Sequence, residues 1–243
     1  MSTEFGRMNL LDGMERRKLA NAGLLLQRYL TVASSDKGKL PDGRSVSAVA
    51  KTDLYSAARS ALGQTHDLYT VAYTRRYSQL NSDSTQRLIT TFAMQTVPGS
   101  RLIIGLGAES PTDTALTLHS LYGVPFIPGS AIKGVAVHYA EEMGVGEHEL
   151  GVIFGLKSDS GRIIFHDAWI APDDVKSADN TLLNDVMTPH HGDYYGEKTN
   201  FQNGLRVAPT DFDDPVPVPF LSVRGKFHFA LSIAVDARDE SVS

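Results

Sequence analysis

The sequence predicts an α+β fold with an antiparallel sheet, and two observations lead to this class. Apolar residues recur at helical spacing over about residues 12–33, 47–62 and 65–80, which predicts three helices before any strand. Segments rich in β-branched residues follow, and helices do not separate them regularly as they do in parallel α/β proteins. Helices followed by runs of strands are typical of an α+β domain.

The later elements are predicted from their local patterns. Residues 88–97 and 101–107 are expected to form a hairpin, because Pro98, Gly99 and Ser100 break the run between them. We then expect a strand over 115–121, a helix over about 130–143 and a short helix over 147–154. The remaining strands are predicted over 161–170, 218–224 and 226–235.

These elements divide the chain into two parts. Residues 1–84 are predicted to form an N-terminal helical extension, and residues 85–243 the domain that contains the sheet. Residues 172–215 have little periodicity, so we predict a long insertion there. Long irregular stretches are usually functional or disordered, and this one contains apolar anchors such as Phe201, which argue against disorder.

The composition is that of an ordinary globular protein. Of the 243 residues, 42% are hydrophobic and 21% charged, and no apolar run approaches the roughly 20 residues that span a membrane. The N-terminus is too polar for a signal peptide. The absence of cysteine excludes disulfides and thiolate metal sites and is compatible with a reducing cytoplasm, where we expect the protein to act.

Charge is distributed unevenly along the chain. The formal net charge is −5, which argues against a simple basic nucleic-acid binder. Residues 1–110 contain 14 Lys and Arg against 9 Asp and Glu, whereas residues 111–243 contain 9 against 19. A basic half and an acidic half predict one surface for phosphates and another for a different partner, although charge also segregates by chance.

The most informative segment runs from residue 116 to 134, with the sequence LTLHSLYGVPFIPGSAIKG. Two prolines stiffen a connection between an apolar run and a helical pattern, and Ser130 is predicted to cap that helix. The helix N-terminus, together with Lys133 one turn later, would suit a phosphate. Because Gly134 follows Lys133, the segment is not an ATP-binding P-loop. A rigid connection with an ordinary cap remains the alternative.

Residues 123–134, GVPFIPGSAIKG, resemble the signature of the RAMP superfamily, the RNA-binding subunits of CRISPR effector complexes. Residues 153–169 resemble the block that follows the signature helix in these proteins. Residues 185–196 and 213–223 are similar to the sixth RAMP subunit of the type III-B (Cmr) complex. The resemblance covers about residues 85–235 and rests on the combination of these motifs.

The resemblance implies a modified ferredoxin-like or RRM-like fold and a non-catalytic subunit that binds RNA in antiviral defence. It implies a place at the end of the filament, near the 3′ end of the guide RNA. The expected partners are guide RNA, target RNA, other RAMP subunits and the small helical subunits. The candidate RNA-binding residues are Gly129, Ser130, Lys133, Arg75, Arg76, His190 and Tyr194. The family's second helix and glycine-rich loop, expected after the last strand, have no counterpart in residues 236–243.

Several of these residues have other interpretations. Arg75 and Arg76 would also complement a helix dipole at a C-terminus, and Tyr194 would also serve as a packing residue. Adjacent residues on a strand point in opposite directions, so His190 and His191 are poorly placed to share a metal, and no metal or cofactor is predicted.

Two other functions are alternatives to RNA binding. One is an endoribonuclease that uses a histidine, such as His119, His138 or His166, or an acidic residue of the chain, and the other is an assembly protein. No nucleophile–base pair stands out in the sequence, so we expect no enzymatic activity. Gly105 and Gly107 indicate either a close approach to a ligand or a bulge.

Overall fold

The computed structural model describes residues 21–32, 38–42, 45–83, 85–156, 159–188, 208 and 217–234. The helices are α1 (Ala22–Arg28), α2 (Val46–Gln64), α3 (His66–Ser82), α4 (Gly129–Glu142), α5 (Glu147–Phe154), α6 (Pro172–Lys176) and α7 (Ala178–Thr181). The strands are β1 (Gln86–Gln95), β2 (Phe126–Ile127), β3 (Gly155–Leu156), β4 (Asp159–Ser160), β5 (Ile163–Phe165), β6 (Ala168–Ile170), β7 (Leu182–Met187), β8 (Val218–Val223) and β9 (Lys226–Ala234).

The main sheet is organised around β9. The strand order is β1-β9-β6-β2, and β5 also pairs with β9, with every pairing antiparallel. Two smaller antiparallel pairs, β3 with β4 and β7 with β8, lie outside this sheet. The predicted α+β class with an antiparallel sheet is confirmed, while the ferredoxin-like arrangement stays a prediction.

The predicted helices form where the sequence has clear caps. Ser45 accepts a hydrogen bond from the Ala48 amide at the start of α2, and α2 and α3 agree with the predicted ranges to within about two residues. Residues 12–20 and 33 of the predicted helix over 12–33 lie outside the described residues, and within 21–32 the helix is limited to α1. The side chain of Asn21 caps α1 with an extended backbone, so the helix does not run continuously through that residue.

Helices and strands pack together in two hydrophobic clusters. Leu62 and Tyr69 from the helical part pack in the same buried cluster as Trp169, Leu182 and Phe227. A second cluster joins α1 and α2 to Leu221 of β8. The first helices therefore depend on the sheet for burial, and the predicted division at residue 84 stays a prediction about domain organisation.

The predicted hairpin over 88–107 is wrong. β1 forms as expected, but its partner is β9, which pairs with it from Gln86 to Gln95. Residues 101–107 form no strand, and Leu102 instead exchanges two backbone hydrogen bonds of 2.8 Å with Val223. The long ladder with β9 outweighs the local turn signal, because it satisfies far more of the backbone of β1 than a short hairpin would.

Two other predicted strands differ from the structure. Residues 115–121 form no strand; Leu118 makes one isolated bridge to Pro125, and the Thr117 amide donates to the Ile104 carbonyl at 2.8 Å. The predicted strand over 161–170 is divided into β5 and β6, with a break at His166 and Asp167. That break lies next to the start of α4.

The predicted insertion over 172–215 is regular in its first part. Residues 172–187 form α6, α7 and β7, and Val175, Ala178 and Leu182 are buried in the main core. The periodicity was missed because each of these elements is only four to six residues long. Residues 189–207 and 209–216 lie outside the described residues.

None of the helices in the described part of the chain is long and apolar enough to span a membrane.

Candidate functional site

The signature segment forms the connection from β2 to α4. Phe126 and Ile127 pair with β6, and Pro128 then takes up an extended conformation at the N-cap position. The helix begins at Gly129, and no side chain at the cap position bonds to it. The prediction that Ser130 is the N-cap is therefore wrong, since Ser130 is already inside the first turn.

A carboxylate from the β5–β6 break takes the place of the missing cap. The Gly129 amide donates to Oδ1 of Asp167 at 2.8 Å, across 38 residues of sequence. A negative charge at this position also interacts favourably with the helix dipole. The first amide of the predicted phosphate cradle is thus already engaged within the chain.

Gly129 is required at this position by a close approach of two backbones. The residue is buried, and a Cβ atom there would overlap the carbonyl oxygen of Phe165 at the end of β5. Any larger residue would push α4 away from the sheet and from Asp167. Gly129 therefore acts through backbone position, whereas Ser130 is exposed.

Arg76 links α3 to the same break. Its guanidinium lies 4.7 Å from the centre of the Trp169 ring and donates to the Asp167 carbonyl oxygen at 3.2 Å. Cation–π contacts of this kind are worth about 0.5–2 kcal/mol. The last turn of α3 contains no basic residue, so the alternative role of Arg75 and Arg76 in complementing the helix C-terminus is wrong. Arg75 is exposed beside it.

Trp169 is the centre of an aromatic cluster under this site. Its ring stacks on Tyr69 at 5.6 Å and meets His119 edge-on at 5.2 Å. The Tyr69 hydroxyl donates to the Ile170 carbonyl at 2.6 Å, and burial raises its pKa well above the usual range. Burial also raises the pKa of Tyr77 to about 12. These rings fix Arg76 and the break between β5 and β6 on a rigid base.

Three half-buried histidines surround the cluster: His119, His166 and His228. Burial lowers the pKa of all three, and for His119 and His166 the nearby Arg76 lowers the pKa further. His166 Nε2 lies 2.9 Å from the Ser232 hydroxyl, while Asp167 bonds to Gly129. The two neighbours therefore have separate partners and form no acid–base pair.

The described residues contain no group of three histidine, aspartate or glutamate side chains that could hold a metal ion. His138 is exposed, and its Nε2 lies 3.5 Å from a carboxylate oxygen of Glu142 on the same helix.

The structure brings together only some of the candidate RNA-binding residues. Ser130 and Lys133 lie on the first turns of α4, and Arg76 bonds to the backbone of Asp167, whose carboxylate bonds to Gly129. Lys133 is half-buried in a cleft between α4 and α5 that Glu141 and Glu147 also line. His190 and Tyr194 lie outside the described residues.

Sequence reasoning did not assign Asp167 and Trp169 to this site. The available signal was an acidic residue between two short apolar runs, two positions before the only tryptophan. An aspartate at a break between strands can accept a hydrogen bond from the first amides of a neighbouring helix.

A comparison with protein families identifies the family of this chain. Residues 99–234 match the model of the RAMP superfamily, and this range includes α4, Asp167 and Trp169. The chain belongs to the RAMP superfamily. This confirms the resemblance predicted from residues 123–134.

Individual relatives agree with this assignment. The chain is 30% identical over 203 residues to the CRISPR system Cmr subunit Cmr6 of Pyrococcus furiosus, covering 59% of this chain and 57% of that protein. It is also 30% identical over 79 residues to the Cmr6 subunit of Saccharolobus solfataricus, covering 32% of this chain and 26% of the relative. The chain therefore spans little more than half the length of the first relative and about a quarter of the second.

One solved structure has the same fold over nearly the whole chain. A chain of the type III-B Cmr-β complex bound to cognate target RNA matches with a TM-score of 0.58. The match covers 99% of this chain and 78% of that one, at 20% sequence identity. At this identity the match describes the fold alone.

Proposed function

We propose that this RAMP protein is a non-catalytic RNA-binding subunit of a type III-B CRISPR–Cas interference complex. It caps the filament near the 3′ end of the guide RNA and acts in antiviral defence in the cytoplasm. The observation that carries this proposal is the superfamily match over residues 99–234, together with 30% identity to a protein called Cmr6. Its partners are guide RNA, target RNA, other RAMP subunits and small helical subunits.

The start of α4 is the proposed RNA contact. Gly129 and Asp167 position the helix, and the exposed Ser130 and the cation of Lys133 offer donors to a phosphate. Arg75 offers a second exposed cation from α3, and Arg76 supports the site from below. His190 and Tyr194 are proposed to stack on or bond to RNA bases. Such contacts hold the RNA backbone, and base pairing supplies the sequence specificity, as in other guide-RNA systems.

The uneven charge supports two unlike surfaces. The basic first half of the chain contributes Arg75 and Arg76, which favours a phosphate-facing side. The acidic second half suits contact with basic protein surfaces of the neighbouring subunits. A subunit at the end of a filament needs both kinds of surface.

Replacing Lys133 with glutamate tests the RNA contact. We expect weaker binding of every single-stranded RNA and a salt dependence with a slope reduced by roughly one to two units, because one phosphate contact is lost and a repulsion is added. Affinity is measured by fluorescence anisotropy over a series of salt concentrations. Lys176→Glu, at an exposed lysine on α6, is the matched control and leaves the slope closer to that of the wild type. Equal slopes for Lys133→Glu and wild type would remove α4 from the RNA contact.

Incubation with labelled RNA tests the alternative function of an endoribonuclease. The purified chain is mixed with guide-like and target-like RNA, with and without magnesium or manganese. We expect no cleavage, because the half-buried histidines bond to or pack against structural groups. Cleavage that His166→Ala or His190→Ala abolishes would replace the binding subunit with a nuclease.

A further inference from the structure

A cavity of about 260 Å³ lies between α1 and the segment 105–118 that crosses it. Gly23, Leu26 and Gln27 of α1 form one wall. The opposite wall is the crossing segment, which Gly105 brings close to Thr117: a Cβ atom at Gly105 would overlap the Thr117 hydroxyl. Gly105 is one of the two glycines, with Gly107, that indicated either a close approach to a ligand or a bulge.

The crossing segment is held in place by a contact with α2 and by hydrogen bonds of its own. Lys51 is buried within α2, and its ammonium group bonds to the Asp113 carboxylate at 2.5 Å. Thr112 is also buried, and its hydroxyl donates to the Thr114 carbonyl at 2.9 Å. The cavity is therefore a preformed feature of the fold, as small-ligand sites usually are.

The chemistry of the lining excludes anions and favours a flat neutral ligand. The hydroxyl-bearing residues Ser110, Thr114 and Thr117 line it, with the Ser110 hydroxyl bonded to Thr112, and Leu26 and Phe126 are apolar residues of the lining. Among the described residues of the lining, Glu109 is the only charged one, so these residues offer no cation to a phosphate. Hydroxyl and amide groups both donate and accept hydrogen bonds. They therefore suit a heteroaromatic ring, whose edge carries both donors and acceptors.

A second depression adjoins the cavity and adds a positive charge. The two share Gln27, Ala108, Glu109 and Ser110, and the second also contains Arg28 and Asp113. The charge of Asp113 is compensated by its ion pair with Lys51, so Arg28 is the cation that a phosphate would meet there. Arg28 follows Gln27 on the last turn of α1 and is exposed. The arrangement therefore suits a ligand whose neutral ring lies in the cavity and whose attached phosphate lies outside it at Arg28.

We propose that this cavity binds one nucleobase of a single-stranded RNA, with the attached phosphate at Arg28. This proposal rests on the proposed function as an RNA-binding subunit and adds a second RNA contact to that of α4. The size supports a single base, since the volume is just below the 300–1,000 Å³ typical of sites for drug-sized molecules. The Thr117 hydroxyl bonds to the edge of the base, and Leu26 and Phe126 contact its faces.

The experiment uses the full chain with three small probes and one RNA. Adenosine, uridine and AMP are titrated by NMR, and a single-stranded RNA carrying 2-aminopurine at successive positions is followed by fluorescence. We expect at least one nucleoside to bind saturably, and AMP to bind up to about fivefold more tightly than adenosine through Arg28. At one RNA position the fluorescence changes on binding, because that base leaves the stack.

Two variants and a control assign these effects to the cavity. Thr117→Val keeps the shape, removes the hydroxyl and weakens nucleoside binding about fivefold. Arg28→Gln leaves adenosine binding unchanged and removes the advantage of AMP. Lys176→Gln, at an exposed lysine that lines neither depression, changes none of these values.

The outcomes separate this proposal from the proposed function. RNA that binds with no fluorescence change at any position, or with Thr117→Val equal to wild type in every assay, overturns the cavity proposal and leaves RNA binding by α4 intact. Saturable nucleoside binding without an RNA signal overturns it too, because the cavity then holds a free nucleoside. A wild-type chain that binds no RNA refutes the proposed function, and the base site in RNA falls with it.

Discussion

Removing the carboxylate of Asp167 should destabilise the fold by about 2 kcal/mol. In Asp167→Ala the Gly129 amide loses its 2.8 Å acceptor, and Gly129 is buried, so water replaces that bond poorly. Loss of a helix cap costs about 0.5–2 kcal/mol, and an unsatisfied buried group about 1–3 kcal/mol. Because Asp167 itself is half-buried, the middle of these ranges is expected.

Asp167→Asn separates the hydrogen bond from the charge. The amide oxygen of asparagine still accepts from Gly129, so only the interaction with the helix dipole is lost, about 0.3–1 kcal/mol. For a chain of this size each kcal/mol lowers the melting temperature by about 2–4 °C. We therefore expect Asp167→Ala to melt about 4–8 °C below wild type and Asp167→Asn about 1–4 °C below.

Urea unfolding and thermal melting, both followed by tryptophan fluorescence, are the assays, because Trp169 is the only tryptophan and lies two residues from the change. Asp53→Ala, at an exposed position on α2, is the control and should stay within about 0.5 kcal/mol of wild type. If Asp167→Ala matches this control, or if the alanine and asparagine variants are equally unstable, the carboxylate does not cap α4.

Two further predictions concern the same region. Gly129→Ala should lower the free energy of unfolding by at least about 1–3 kcal/mol, because its Cβ overlaps the Phe165 carbonyl. Gly134 has open space around it, so Gly134→Ala should stabilise α4 by about 0.5–1 kcal/mol. Equal urea midpoints for the two variants would contradict this. The pKa values of the three half-buried histidines are lowered by folding, so the unfolded chain binds more protons than the folded one. The melting temperature should therefore fall as the pH drops from about 7.5 to 5.5. A melting temperature that stays constant over this range would refute the prediction.

The parts of the fold that depend on local patterns were predictable. The helices over 46–64 and 66–82 have helical periodicity within their own sequence, and β8 and β9 are rich in β-branched and aromatic residues. The prediction of a hairpin was wrong because strand pairing depends on the total number of backbone hydrogen bonds formed. β1 forms them with a distant strand, in which Ala234 is the partner of Gln86. No window of local sequence contains that information.

The candidate site was predictable in its position and incomplete in its chemistry. Residues 123–134 pointed to the right helix start, and the superfamily match includes it. The cap comes from Asp167, 38 residues after Gly129, and the support comes from Arg76, 91 residues before Asp167. Side chains that meet only after the sheet has formed leave no periodic signal in the sequence.

The arrangement around β9 has a consequence for how the protein is made. β9 pairs with β1, β5 and β6, so three of the other strands in the main sheet have their partner in residues 226–234. During synthesis, β1 emerges from the ribosome more than 130 residues before that partner. A topology with such distant pairings folds slowly, because the long loops must close before the contacts that reward them exist. The growing chain therefore exposes the apolar side chains of β1 until residues 226–234 have been translated, and slower elongation before residue 226 would lengthen that exposure.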